Sequence, residues 1–248
     1  MRAAGELQLH GQKEVVVSRK GIGDIVTDVD LACEKVVTRL LRERHPEHGI
    51  LAEEGTGERG AGQLLWILDP LDGTKNFAHG YPRFCVSLAL AWDEEPILGA
   101  VYDPSADELF MAERGAGATV NGEPLRVSPI AELSGPLLAG ALTTRSRPDA
   151  VQLRRVAELL PHVQALRSDG CAALDLCDVA RGRFDGYLEE GLSAWDTAAG
   201  VLMVREAGGM TSDFSGKPHA LFGAETLATN GAVHGEVLAL LQHARELP

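Results

Sequence analysis

Two carboxylates flank a proline at the end of a short apolar run, in Trp66-Ile67-Leu68-Asp69-Pro70-Leu71-Asp72-Gly73-Thr74. The run is partly β-branched, so it reads as a buried strand. It is expected to stop at Pro70, which cannot continue a sheet ladder, while Gly73 frees the backbone beyond it. Chain leaving a sheet is where active sites are often built. Unpaired anions are costly there, and carboxylate oxygens suit hard divalent ions such as Mg2+. Asp69 and Asp72 therefore point to a metal or catalytic site.

Other acids recur at the ends of expected elements. Asp24, Asp28 and Asp30 precede a helix, Glu53 and Glu54 follow a strand, and Asp196 stands at a helix start. Each has a plain alternative: Asp30 and Asp196 suit helix N-caps, and Glu53-Glu54 suit a solvated loop. Lys20, Gly21 and Gly23 read either as a mobile loop near the first acids or as a solvated turn.

The elements that must position these groups follow from periodicity and punctuation. Residues 31–44 carry apolar side chains at 33, 36, 37, 40 and 41, a helical spacing. Thr27 with Asp30 resembles a capping box at its start, and Pro46 follows its end. Residues 49–52 read as a strand. Residues 84–92, 96–102 and 109–112 read as an antiparallel meander, with a tight turn at Asn121-Gly122. Strands are expected at 137–142, 163–167 and 184–188, and helices at 150–160, 172–180, 197–207 and 233–244. The chain after Gly73 begins a further helix, whose free N–H groups suit phosphate. Mixed strands and interleaved helices indicate a layered α/β or α+β architecture. The break near Ser134-Gly135-Pro136 divides it into halves, 1–134 and 135–248.

Bulk properties narrow the partners. The chain has 248 residues, 45% hydrophobic, with a formal net charge of -13. That balance argues against a nucleic-acid backbone footprint and an anionic membrane surface. It leaves room for one small anionic substrate, because bound metal reverses the local field. No apolar run reaches the roughly 20 residues needed to span a bilayer, and no signal peptide is visible. Cys33, Cys85, Cys171 and Cys177 form no CxxC pair and sit in apolar segments. They read as buried reduced thiols of a cytoplasmic protein.

Four segments together resemble the inositol monophosphatase family of metal-dependent phosphatases: DIVTDVD at 24–30, ILAEE at 50–54, WILDPLDGTKNF at 66–77 and WDTAAGVLMVREAGG at 195–209. The stretches at 76–90 and 169–196 also look like the family. The resemblance implies a layered αβαβα sandwich of the inositol monophosphatase and fructose-1,6-bisphosphatase type. Most metal ligands would lie in the first half, and Asp196 with the substrate contacts in the second.

It also implies roles. Glu53, Asp69 and the Leu71 carbonyl would hold one Mg2+, and Asp69, Asp72 and Asp196 a second. Glu53 would help position a third, weaker ion, and Mn2+ could substitute. Asp30 and Thr74 would orient the attacking water. The N–H groups of Gly73 and Thr74 would receive phosphate, Gly170, Cys171 and Ala172 would face the sugar ring, and Glu189 would bind substrate hydroxyls. Inhibition by Li+ and a homodimer are implied too.

The sequence departs from the family pattern at Lys75, where a small hydroxyl residue is more usual, and at Cys171, where a hydroxyl residue is common. Lysine at that first position also occurs in relatives that hydrolyse histidinol phosphate. AAGEL at 3–7 resembles only the later part of the family's first helix. The expected activity is Mg2+-dependent hydrolysis of inositol monophosphate or related sugar and polyol phosphates. The alternatives are a histidinol-phosphatase, a fructose-1,6-bisphosphatase, a nucleotide 3'-phosphatase, or a regulatory binding protein contacting transcription or RNA machinery.

Overall fold

The computed structural model describes residues 1–12, 15–21, 24–57, 62–132, 135–140 and 150–246. Gly23, Ser134 and Leu142, on which parts of the sequence reading fall, lie outside them. In chain order the helices are α1 (Arg2–Gly11), α2 (Asp28–Arg44), α3 (Thr74–Ala78), α4 (Ala150–Leu159), α5 (Ala172–Ala180), α6 (Ala194–Glu206) and α7 (His234–Glu246). The first strands are β1 (Val17–Gly21), β2 (Asp24–Thr27), β3 (Gly49–Ala52), β4 (Leu64–Asp72), β5 (Cys85–Trp92), β6 (Glu95–Asp103), β7 (Glu108–Glu113), β8 (Gly117–Val120) and β9 (Glu123–Pro124). The remainder are β10 (Leu137–Ala139), β11 (Ala165–Arg167), β12 (Gly186–Glu190), β13 (Met210–Ser212) and β14 (Glu225–Thr229).

Strands β3 to β9 form one sheet in sequence order, and β10 to β14 a second in the order β11-β10-β12-β14-β13. The meander is antiparallel throughout, from β5 to β9. Its last turn uses Asn121 and Gly122, both at positive φ (49° and 88°), the backbone a two-residue hairpin of this hand demands. Helices α1 and α2 cover the β3–β5 end of the larger sheet. Helices α5 and α6 lie between the sheets in one apolar core that joins Ile67 and Val101 to Leu176, Leu202 and Tyr187. Helices α4 and α7 close the far face of the smaller sheet over Leu138, Leu188 and Leu227. The expected layered α+β sandwich is the observed fold.

Three local readings need correction. Strand β4 does not stop at Pro70 but runs on to Asp72, with its register against β5 slipping between Asp69 and Asp72. The missing N–H of Pro70 falls in that slip, beyond the last residue of β4 paired to β3, Leu68. Buried Gln8 of α1 fills the gap, donating through Nε2 to the carbonyls of Pro70 (2.9 Å) and Cys85 (3.3 Å). Asp30 and Asp196 are not N-caps, although the capping box expected of Thr27 with Asp30 is present. Thr27 and Ser193 are the caps, and each acid is the third helical residue of a capping box. Lys20 and Gly21 do not stand in a loop but end β1, which pairs antiparallel with β2. All four cysteines are buried and free, as expected.

Candidate active site

Strand β4 carries the centre. Its irregular end turns Asp69, Leu71 and Asp72 into a cleft of about 220 Å³, which Glu53, Asp196 and Glu189 also line. Gly73 follows at φ 88° as N-cap of α3. A Cβ there would meet the Arg83 carbonyl at 2.6 Å, so only glycine lets the chain turn from the strand into α3. Glu53 enters from the turn after β3, its N–H donating to Leu68 O at 3.2 Å. Asp196 projects from the first turn of α6, where its Oδ2 accepts the Ser193 N–H at 2.6 Å. Gly170, Cys171 and Ala172 at the start of α5 also line the cleft. Asp30 does not line the cleft but stands directly behind it: the Thr74 hydroxyl is 3.2 Å from Asp30 Oδ1 and 2.9 Å from the Leu71 carbonyl.

The cluster is electrostatically costly. Burial first, then the charges of Glu53, Asp72 and Asp196, holds the Asp69 carboxyl well above the usual carboxylate range. Asp72 is pushed up to about 8 by burial and by Asp196, although hydrogen bonds from the Ala173 N–H and the Cys171 thiol favour its charged form. Burial also raises Asp30, against donation from Thr27 and Thr74. Carboxyls packed like this resist ionising together unless cations join them. The donors are all oxygen, which suits a hard cation.

Several positioning groups escaped the sequence reading. Asn76 Nδ2 lies 2.8 Å from Arg83 O and 2.7 Å from Asp169 O, tying α3 to the loop before α5. Arg83 reaches across to α5, 2.6 Å from Asp175 Oδ1 and 2.8 Å from Asp178 Oδ2. Burial still lifts Asp175 to about 7 despite that guanidinium. Two acids three residues apart on an otherwise apolar helix were the available signal, since both need a cation. Arg83→Met is expected to destabilise the protein by about 3 kcal/mol, because it strands buried Asp175, whereas Asp178 keeps Arg181 and Arg183 at 3.7 and 3.4 Å. An unchanged urea midpoint would show that the cluster does not bear on stability.

A family model described as the inositol monophosphatase family matches residues 2–246. The chain is 41% identical over 232 residues to an inositol-1-monophosphatase of Synechocystis sp., covering 92% of this chain and 80% of that one. It is 42% identical over 234 residues to the Nus factor SuhB of Escherichia coli K12, covering 94% and 86%. The crystal structure of the extragenic suppressor protein SuhB from Bartonella henselae superposes with a TM-score of 0.93 at 37% identity, over 97% of this chain and 94% of that one. An IMPase/NADP phosphatase complexed with Mg2+ and phosphate superposes at 0.84 with 27% identity, over 96% and 90%. With a shared sequence pattern over nearly its whole length and a shared fold, the chain belongs to the inositol monophosphatase family.

Proposed function

We propose that this protein hydrolyses phosphate monoesters of small polyols, with inositol monophosphate among its best substrates and Mg2+ as its cofactor. The observation that carries this reading is the convergence of Glu53, Asp69, Asp72 and Asp196 on one cleft, where their mutual repulsion calls for cations. The relative complexed with Mg2+ and phosphate supports it.

Glu53, Asp69 and the Leu71 carbonyl would hold one ion. Asp69, Asp72 and Asp196 would hold a second, and Glu53 would help position a third. When bound, the ions supply an acidified water and neutralise the charge on the leaving oxygen. With the Leu71 carbonyl committed to an ion, the Thr74 hydroxyl would donate its hydrogen bond to Asp30 Oδ1, 3.2 Å away, and would turn a lone pair towards the attacking water. A buried carboxylate with a raised pKa is the stronger base, which suits Asp30 to draw that proton. The Gly73 and Thr74 N–H groups would receive phosphate oxygens. Glu189, whose Oε2 accepts the Tyr187 hydroxyl at 2.5 Å, would bind substrate hydroxyls. Gly170, Cys171 and Ala172 would face the ring.

The test is a steady-state panel of inositol 1-phosphate, histidinol phosphate, fructose 1,6-bisphosphate and a 3'-nucleotide with Mg2+. Inositol 1-phosphate is expected among the highest kcat/KM values. Near-zero turnover of it beside fast hydrolysis of histidinol phosphate would reverse the assignment. Inhibition by Li+ and a homodimer belong to the same reading. Leu98 on β6 and Met111 on β7, exposed on neighbouring inner strands of the larger sheet, offer an apolar face for the second copy.

Relatives named Nus factor SuhB favour a second reading, a regulatory protein that contacts transcription or RNA machinery. A pull-down with RNA polymerase beside the activity assay separates the two. Turnover without stable association supports the enzyme alone.

A further inference from the structure

Cys85 and Cys171 lie beneath the acid cleft, one opening β5 and the other capping α5. Both are fully buried, and their sulfurs are 3.7 Å apart. Cys171 Sγ is 3.3 Å from Asp72 Oδ2 and 3.6 Å from the Asp72 carbonyl. One ligand atom from each of Asp72, Cys85 and Cys171 lies within 4.8 Å of the others.

The sulfur–sulfur spacing and the Cys171–Asp72 spacing match a tetrahedral ion of borderline softness. With metal–sulfur bonds of about 2.3 Å and metal–oxygen bonds of about 2.0 Å, such an ion holds two thiolates about 3.8 Å apart and a thiolate and carboxylate oxygen about 3.5 Å apart. The third pair, the Cys85 sulfur and the Asp72 carboxylate oxygen, lies within 4.8 Å and closes towards that same spacing when an ion is held. The donor set also differs in kind from the all-oxygen cluster above it, because thiolates select zinc-class ions over magnesium. Cys171 lines the cleft, so an ion entering there meets the sulfur pair behind Asp72.

We propose that Cys85, Cys171 and Asp72 form an inhibitory site for a zinc-class divalent cation. Binding exchanges two thiol protons, released to solvent, for one ion held by two thiolates and a carboxylate. It replaces the Cys171 S–H···Asp72 hydrogen bond with a bond from the ion to Asp72, drawing that carboxylate towards the sulfurs and away from magnesium. The inhibitory part rests on the phosphatase reading, whereas the binding part rests on the thiol pair alone.

The experiment titrates Cd2+ into the reduced, Mg2+-loaded protein. It follows the ultraviolet cadmium–thiolate charge-transfer band and turnover in the same samples. One equivalent should develop the band of two thiolates, inhibition should track it, and Zn2+ should bleach it. Cys85→Ala should abolish the two-thiolate band and weaken inhibition by about tenfold or more, with Mg2+-supported turnover retained. Cys85→Val, closer in volume, serves if the alanine variant does not fold. A wild-type protein without the band, or a Cys85 variant inhibited at unchanged Cd2+ concentration, would overturn the proposal. The band reads binding even if no phosphatase activity is found, so the two readings fail separately.

Discussion

Asp72→Asn is expected to lower kcat by about a thousandfold or more, as loss of several kcal/mol of charge stabilisation implies, without weakening the fold. The substitution removes a charge and almost no volume. Its amide oxygen keeps the position that now accepts the Ala173 N–H at 2.7 Å, so α5 stays tied to the end of β4. In metal-free protein the change should even help. The wild-type carboxyl must ionise while buried above its pKa of about 8, and asparagine never does. At about pH 9 the metal-free variant should melt no lower than the wild type. Wild-type kcat in Asp72→Asn would show that the Asp72 charge holds no ion that the reaction needs.

Removal of divalent ions is expected to abolish turnover and to make stability fall as pH rises. The sign follows from proton counting. Asp69 and Asp72 both hold their protons more tightly folded than unfolded. Between the ordinary aspartate value of 3.8 and about 8, the folded state therefore carries more protons, and raising the pH favours unfolding. Stability from these groups is fully present below the lower value and is lost through the upper one. Mg2+ would bind the ionised folded state, so the gain in Tm on adding it should grow across the same window. Chelated protein whose Tm stays flat or rises there would show that the acids do not repel one another as described.

The site was more legible than the frame that holds it. The acids sit in short local patterns, and Glu53, Asp69, Asp72, Glu189 and Asp196 line one cleft, with Asp30 behind it, although Glu53 and Asp196 are far apart in the chain. Helix α5 was legible to its ends, because its apolar residues and the turn after Ala180 are local signals. The end of β4 was not, since proline argues against a strand and the side chain that fills the broken ladder, Gln8, is 62 residues away. The start of α6 was read at Thr197, three residues late, although Ser193 and Asp196 carry a capping-box signal. Strand β14 was missed because its pairing with β12 and β13 is what defines it. Arg83 had no visible role, as its partner Asp175 stands 92 residues on. Lys75 lines the cleft, and nothing in the structure explains its departure from a hydroxyl residue.

The most direct measurement is an anomalous difference map from a crystal soaked with Mn2+ and phosphate. Strong peaks should lie among Glu53, Asp69, Asp72 and Asp196, with phosphate density against the Gly73 and Thr74 backbone. Manganese found elsewhere on the surface, with those four side chains unliganded beside bound phosphate, would contradict the account.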